Sequence, residues 1–255
     1  MINTEIIISG DIMKAYIYSF EGRPWNEECL AAFNGFSKLG IECVLFSTNE
    51  QLEQRTPEDV VVGGMLIMHH ALSEMGITPP VFDYPDELKK YRGRNIRTVK
   101  LKDLKQEKLP VFIKPTEEKA AKGIVVNNWA DISEYGHLDP EMDILCSDVV
   151  SFLSEWRCFI RYGKIIGIQF YNGDITNRCD LSVIEEAVRD FTTIPAACSL
   201  DFGKTDDGRT LLIEMNDGFA IGCYGLDDTL YAKFLAARWA ELTGTKDPWA
   251  NDLLK

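Results

Sequence analysis

The sequence has no long apolar run. Its most apolar stretch, Val60 to Met68, is short and is broken by Gly63 and Gly64. A membrane-spanning helix needs about 20 apolar residues, so no membrane partner is expected. The first ten residues include Glu5 and have no basic start ahead of their apolar run, so they do not read as a secretory leader. Positive charge is also scarce. There are 27 Lys and Arg against 40 Asp and Glu, a net charge of −13, and the pI is about 4.7. Such a surface repels nucleic acid and anionic membranes. It leaves room for a phosphate-bearing ligand, because a local cluster of Lys and Arg can hold phosphates on an acidic protein.

Paired cysteine spacing is missing too. The seven Cys (29, 43, 146, 158, 179, 198 and 223) form no CxxC, and most sit in apolar runs such as Glu42-Cys43-Val44-Leu45. Free buried thiols in a reducing, cytoplasmic setting are expected, and structural zinc is not. His69 and His70 have no metal partners at ligand spacing. Gly63-Gly64 follows an apolar strand but lacks the spacing of a dinucleotide fingerprint or a Walker loop, so it reads as a structural turn. No Ser-His-Asp or Cys-His signature is visible, nor any repeat or low-complexity segment.

What is present is an ordinary globular balance, 45% hydrophobic and 26% charged over 255 residues. That length suffices for a well-buried core with two or three subdomains. Residues 1–85 alternate strands and helices. Met13 to Phe20, Ile41 to Phe46 and Asp59 to Val62 read as strands. Asn26 to Leu39 carries Leu30, Phe33, Phe36 and Leu39 at helical spacing and stops at Gly40. A second helix runs through Met75 and ends at Gly76. Short loops between such elements imply a small parallel α/β domain. The next stretch, to about residue 108, is a basic connector carrying Arg92, Arg94 and Arg97 and is read as a solvated helix and loop. Beyond it, Val111 to Lys114, Gly123 to Val126, and two strands from Arg157 to Ile168 turning at Gly163-Lys164 are expected. Leu230 to Leu242 reads as a helix ended by Gly244. Residues 246–255 read as a loose C-terminal tail.

The most informative stretch runs from Ser199 to Asn216. Asp207-Gly208 is a strong hairpin signal, since both residues tolerate positive φ. Centring the turn there places Asp201 opposite Glu214, and Asn216 on the same face. Two like charges opposed in an apolar hairpin destabilise it. A divalent cation would remove that cost, and oxygen donors of this kind suit magnesium.

An Asp followed by Glu-x-Asn on the next strand resembles the metal-binding pattern of the ATP-grasp superfamily. The run from Glu214 to Gly218, with Tyr224-Gly225 and Tyr231 to Trp239, looks like a little-characterised bacterial and phage branch of it. The resemblance covers roughly residues 85–245. It implies an α+β architecture: an ATP-grasp domain at 86–245, with two subdomains around the nucleotide, preceded by the small α/β domain. Phe112-Ile113-Lys114-Pro115 resembles the strand whose lysine contacts ATP phosphates, and Lys119 to Gly123 the loop that closes over them, with Lys119 and Lys122 as cations. Asp148 and Val150 fall where the family offers backbone groups to adenine, and Glu155 where it places a carboxylate on the ribose. The implied metal ligands are Asp201, Glu214 and Asn216.

One position departs from the pattern. Many ATP-grasp ligases carry Arg two residues before the metal Asp; here that residue is Ser199. Arg157 is the first candidate to replace it, as a catalytic group together with Lys122; Arg178 and Arg161 are weaker candidates. The resemblance implies an Mg-ATP-dependent carboxylate–amine ligase working through an acyl phosphate, on small-molecule or peptide substrates or a protein terminus. A nucleotide-binding module without ligase activity and a phosphotransferase are the rivals.

Overall fold

The chain is described by a computed structural model over residues 13–82, 84–117 and 120–252. Four strands form the first sheet: β1 (Lys14–Phe20), β2 (Arg23–Pro24), β3 (Glu42–Phe46) and β4 (Val60–Val62). β3 and β4 each pair parallel to β1, and β2 turns back antiparallel on the end of β1. Parallel strands need crossover connections. The first is α1 (Glu27–Lys38), capped by the Asn26 side chain, which accepts from Cys29 N at 2.9 Å. α2 (Met65–Ser73) follows β4. This is the parallel α/β unit expected from the alternating pattern.

The basic connector is more ordered than a solvated loop. It contains β5 (Ile96–Lys100), which joins β6 (Val111–Pro115), β7 (Ile124–Val126) and β8 (Asp143–Ser147) in an antiparallel sheet of order β5-β8-β6-β7. Val111 and Ile113 turn inward onto a small core with Val126, Ile144 and Cys146. Alternation therefore sends Lys114 to the opposite face.

The third sheet is also antiparallel, of order β10-β9-β11-β12, from β9 (Phe152–Arg161), β10 (Lys164–Gly173), β11 (Ala197–Thr205) and β12 (Thr210–Asp217). One face meets α3 (Leu181–Asp190): Cys158, Ile160, Leu200 and Phe202 pack with Ile184, Ala187 and Val188. The sequence reading assigns no helix there, although Asp180 caps it by accepting from Ser182 N at 2.9 Å. The other face carries Phe159 and Ala197 into a core shared with the first sheet and with α4 (Asp228–Thr243).

That shared core crosses the boundary expected at residue 85. α1 and α4 lie so close that a Cβ on Gly35 would sit 1.9 Å from Asp228 O, so only glycine allows the approach. Of the segment read as a loose tail, residues 247–252 are docked. Arg161 donates to Asp247 Oδ2 at 2.6 Å, Trp249 O at 2.6 Å and Asp252 O at 3.1 Å, and Asp247 is 5% exposed. No described helix is long and apolar enough to cross a membrane.

Candidate active site

The β11–β12 hairpin puts its chemistry on one face by two departures from the simplest turn. The loop is Asp206-Asp207-Gly208, three residues rather than two: Thr205 N donates to Arg209 O at 2.9 Å and Gly208 N to Thr205 O at 3.1 Å. Gly208 adopts φ +85°, the left-handed position that such a loop requires. Near the turn Gly203 pairs with Leu211 and Phe202 with Leu212. Continued unbroken, that register would set Asp201 against Ile213 and throw Glu214 to the wrong face. A bulge at Ile213 intervenes and restores the Asp201–Glu214 pair, with Ser199 opposite Asn216. Arg94 from the connector secures the bulge, donating to Leu212 O at 2.7 Å and Ile213 O at 2.8 Å. The expected opposition is therefore present, by a route that the turn signal did not indicate.

Asp201, Glu214 and Asn216 converge. Asn216 Nδ2 lies 3.4 Å from both Asp201 Oδ2 and Glu214 Oε1. Asp201 is buried, and desolvation pushes its carboxyl above the ordinary range, opposed by Arg157 and assisted by the nearby Glu214 charge. Arg157, on the neighbouring β9, grips Asp201 with both prongs: Nε to Oδ1 at 2.9 Å and Nη2 to Oδ2 at 2.7 Å. Burial works against its charge, but that carboxylate keeps the guanidinium above its usual value. Lys114 reaches across from the other sheet to Glu214 Oε2 at 3.2 Å. Among the described residues no group of three or more His, Cys, Asp or Glu side chains is placed to hold a metal. The set is two carboxylates and an amide. That fits magnesium, which takes one or two protein carboxylates and fills its octahedron with water and substrate phosphates.

Lys114, Arg157, Glu214 and Asn216 line one cavity of about 860 Å³ between the sheets, within the usual range for ligand sites. The other expected residues are more scattered. Glu155 lies two residues before Arg157 on β9 and accepts from Tyr171 OH and Asn172 Nδ2, each at 2.8 Å. Asp148 ends β8. Its carboxylate accepts from Asn95 N at 3.0 Å, and its backbone carbonyl accepts from Ser147 Oγ at 2.9 Å. Val150 sits in the linker between the second and third sheets. Lys122 is exposed, and its carbonyl accepts from Tyr135 OH at 2.7 Å. Lys119 lies outside the described residues. Arg161 belongs to the docked tail and not to this site, and Arg178 is exposed at the surface. Arg92, Arg94 and Arg97 are held internally, the first by Pro85 O and the last by Glu107.

Sequence reasoning missed two residues. Tyr171 and Tyr224 stack with ring centroids 5.1 Å apart. The Arg157 guanidinium carbon sits 5.7 Å from the first ring and 5.0 Å from the second. β10 pairing puts Gln169 opposite Arg157, but a bulge between Phe170 and Asn172 leaves Tyr171 outside the regular register, so alternation alone did not place it. Tyr224 belongs to an irregular loop with φ +44°, as does Ala220 with φ +51°, a conformation costly for residues with a Cβ. Ser199 is fully buried, and its Oγ has no hydrogen-bond partner among the described residues.

The comparisons accord with this geometry. Residues 91–234, more than half of the chain, match a family model described as an ATP-grasp domain, the second family of its clade. The chain belongs to this ATP-grasp family. Among solved structures it is similar to the D-cycloserine synthetase DcsG, at a TM-score of 0.57 and 12% identity, covering 89% of this chain and 99% of that one. A RimK domain ATP-grasp protein from Sphaerobacter thermophilus DSM 20745 aligns at 0.55 and 15% identity, over 87% and 99%. D-alanine–D-alanine ligase from Bacillus anthracis aligns at 0.53 and 12%, over 91% and 96%. At these identities the likeness is one of fold. No curated protein sequence matches.

Proposed function

We propose that this ATP-grasp protein is an Mg-ATP-dependent ligase joining a carboxylate to an amine. The observation that carries the reading is the convergence of Asp201, Glu214 and Asn216 on one face of a hairpin. Arg157 and Lys114 border the same cavity. Lys114, with Lys119 and Lys122 further along the sequence, balances the ATP phosphates as point charges. Asp148 and Val150 meet the adenine, and Glu155 the ribose. Magnesium held by Asp201, Glu214 and Asn216 would neutralise charge on the phosphate oxygens. Arg157 is anchored through Nε and one Nη2 hydrogen, and its Nη1 makes only a 3.4 Å contact with Gly222 O. Its outer edge is left to orient a carboxylate and stabilise charge on the transferred group.

One carboxylate oxygen of the substrate attacks the γ-phosphorus, and the bond to the β-phosphate oxygen breaks, releasing ADP. The amine nitrogen then attacks the acyl carbon. The carbon–oxygen bond to phosphate breaks, and the amine gives its proton to the departing phosphate. Chain residues contribute positioning and charge, and none forms a covalent intermediate.

The test is calorimetry of ATP with and without magnesium, on wild type and Glu214→Ala, followed by ADP release with carboxylate and amine panels. Magnesium-dependent binding lost in the variant supports the nucleotide site; absence of ATP binding in wild type overturns it. Asp201→Asn and Glu214→Gln should abolish turnover. Ser199 favours a second reading, a nucleotide-binding module, because the family's arginine is replaced there by a buried hydroxyl. ATP binding with no substrate-dependent ADP release would support that reading instead.

A further inference from the structure

The cavity has two unlike ends. One is the polar cluster of Lys114, Arg157, Glu214 and Asn216. The other is built by α2 and the segment after it, where Leu66, Ile77, Pro80, Val81 and Phe82 face the same space. Leu66 is 78% exposed and Val81 87% exposed. Aliphatic side chains so exposed gain nothing from the protein's own core. Residues 65–82 contain one charged residue, Glu74, which is paired with Arg55 at 3.0 Å. The chain as a whole is 26% charged, so over 18 residues this wall is depleted of charge. Of the described cavity-lining residues in that span, His69 alone is ionisable, and its ring lies edge-on to Phe219 at 6.2 Å.

From this polarity we infer that the carboxylate substrate carries a large apolar group. It is a hydrophobic α-amino acid or a peptide ending in one. Its carboxylate lies at the free edge of Arg157 and its side chain along Leu66 and Val81. A charged side chain there would lose its hydration and find, among the described residues of this wall, His69 as its one ionisable neighbour. An aliphatic one would remove its own surface and that of Leu66 and Val81 from water, which favours binding in proportion to the area covered. The inference rests on the ligase reading for the carboxylate's position, and it extends that reading to the substrate's side chain.

Calorimetry on the full chain, with ADP and magnesium present, tests this with N-acetyl-L-leucine and N-acetyl-L-aspartate as probes. The leucine derivative should bind at least about 10-fold more tightly, the scale of one buried aliphatic side chain. Leu66→Asp and Val81→Asp should each weaken it about 10-fold while leaving ATP binding and the melting temperature unchanged. Both side chains are exposed, so neither replacement threatens the fold. Equal or tighter binding of the aspartate derivative, no binding of either acid, or no effect of either variant would overturn the inference. ATP calorimetry stands apart from these outcomes, so loss of the nucleotide reading is recognised separately. Free leucine compared with Gly-Gly-Leu, read by ADP release, distinguishes the amino acid from the peptide terminus.

Discussion

Two buried Arg–Asp pairs have their arginines four residues apart on β9, and their surroundings differ. Arg157 grips Asp201 at 2.7 Å and Arg161 grips Asp247 at 2.6 Å. Both arginines lie on one strand face, and all four side chains are at most 8% exposed. They differ in their remaining donors. Arg161 is also engaged by Lys233 O, Trp249 O and Asp252 O, so its guanidinium is enclosed and ties residues 247–252 to the core. Arg157 has one partner residue at short range, two aromatic rings beside it and an edge on the cavity. Burial and ion pairing alone do not distinguish the two arginines; a cavity beside one of them does.

The sharpest way to break this comparison is Arg161→Met. It strands Asp247 without a cation in the interior, which costs about 3–5 kcal/mol, and frees the segment after residue 246. Urea unfolding and limited proteolysis read both effects. Tolerance of the substitution would mean that the closed pair is not a structural tie. Arg157→Lys inverts the pattern. The charge next to Asp201 remains but the fork is lost, so turnover should fall about 100-fold or more. The stability loss should stay below that of Arg161→Met. An equal fall in stability with normal turnover would make the two arginines equivalent.

Smaller changes sharpen the contrast. Arg94→Met removes two charged hydrogen bonds to the Ile213 bulge, about 1.5–3 kcal/mol each at most. It should weaken magnesium-dependent ATP binding by loosening the register at Glu214. Unaltered binding with lowered stability would show that the hairpin holds its bulge unaided. Tyr224→Ala removes one ring from Arg157, worth about 0.5–2 kcal/mol, and should lower kcat more than it raises the KM for ATP, with Tyr224→Phe restoring activity. The smallest effect concerns the thiols. Desolvation pushes Cys29 and Cys146 up to about 11, so at pH 8 both should be protonated and slow to alkylate in the native state. Their reaction should quicken only as pH rises toward 11; fast labelling at pH 8 would contradict their burial.

Much of the candidate site was legible because it rests on period-2 alternation and residue chemistry. Asp201, Glu214 and Asn216 share a face by parity, and Lys114 by its place in an apolar strand. The register itself was reached through compensating departures, a longer loop and a bulge, neither of which a turn dipeptide reveals. β5 was hidden because its charged alternation resembles a solvated connector until β8 pairs with it. Arg161 was hidden because its partner lies 86 residues away in a segment with no periodic signal. Tyr224 was hidden because an irregular loop has no repeat from which to infer a direction.

The sequence by itself determined local elements: α1 from its apolar spacing, most of the strands, and the shared face of Glu214 and Asn216. Those follow from interactions between near neighbours along the chain. Only the tertiary structure decided which arginine is closed and which is open, how the first sheet and α4 share one core, and that an apolar wall from residues 65–82 meets a polar cluster from residues 114–216 in one cavity. Those depend on contacts between distant segments, whose partners no local pattern names.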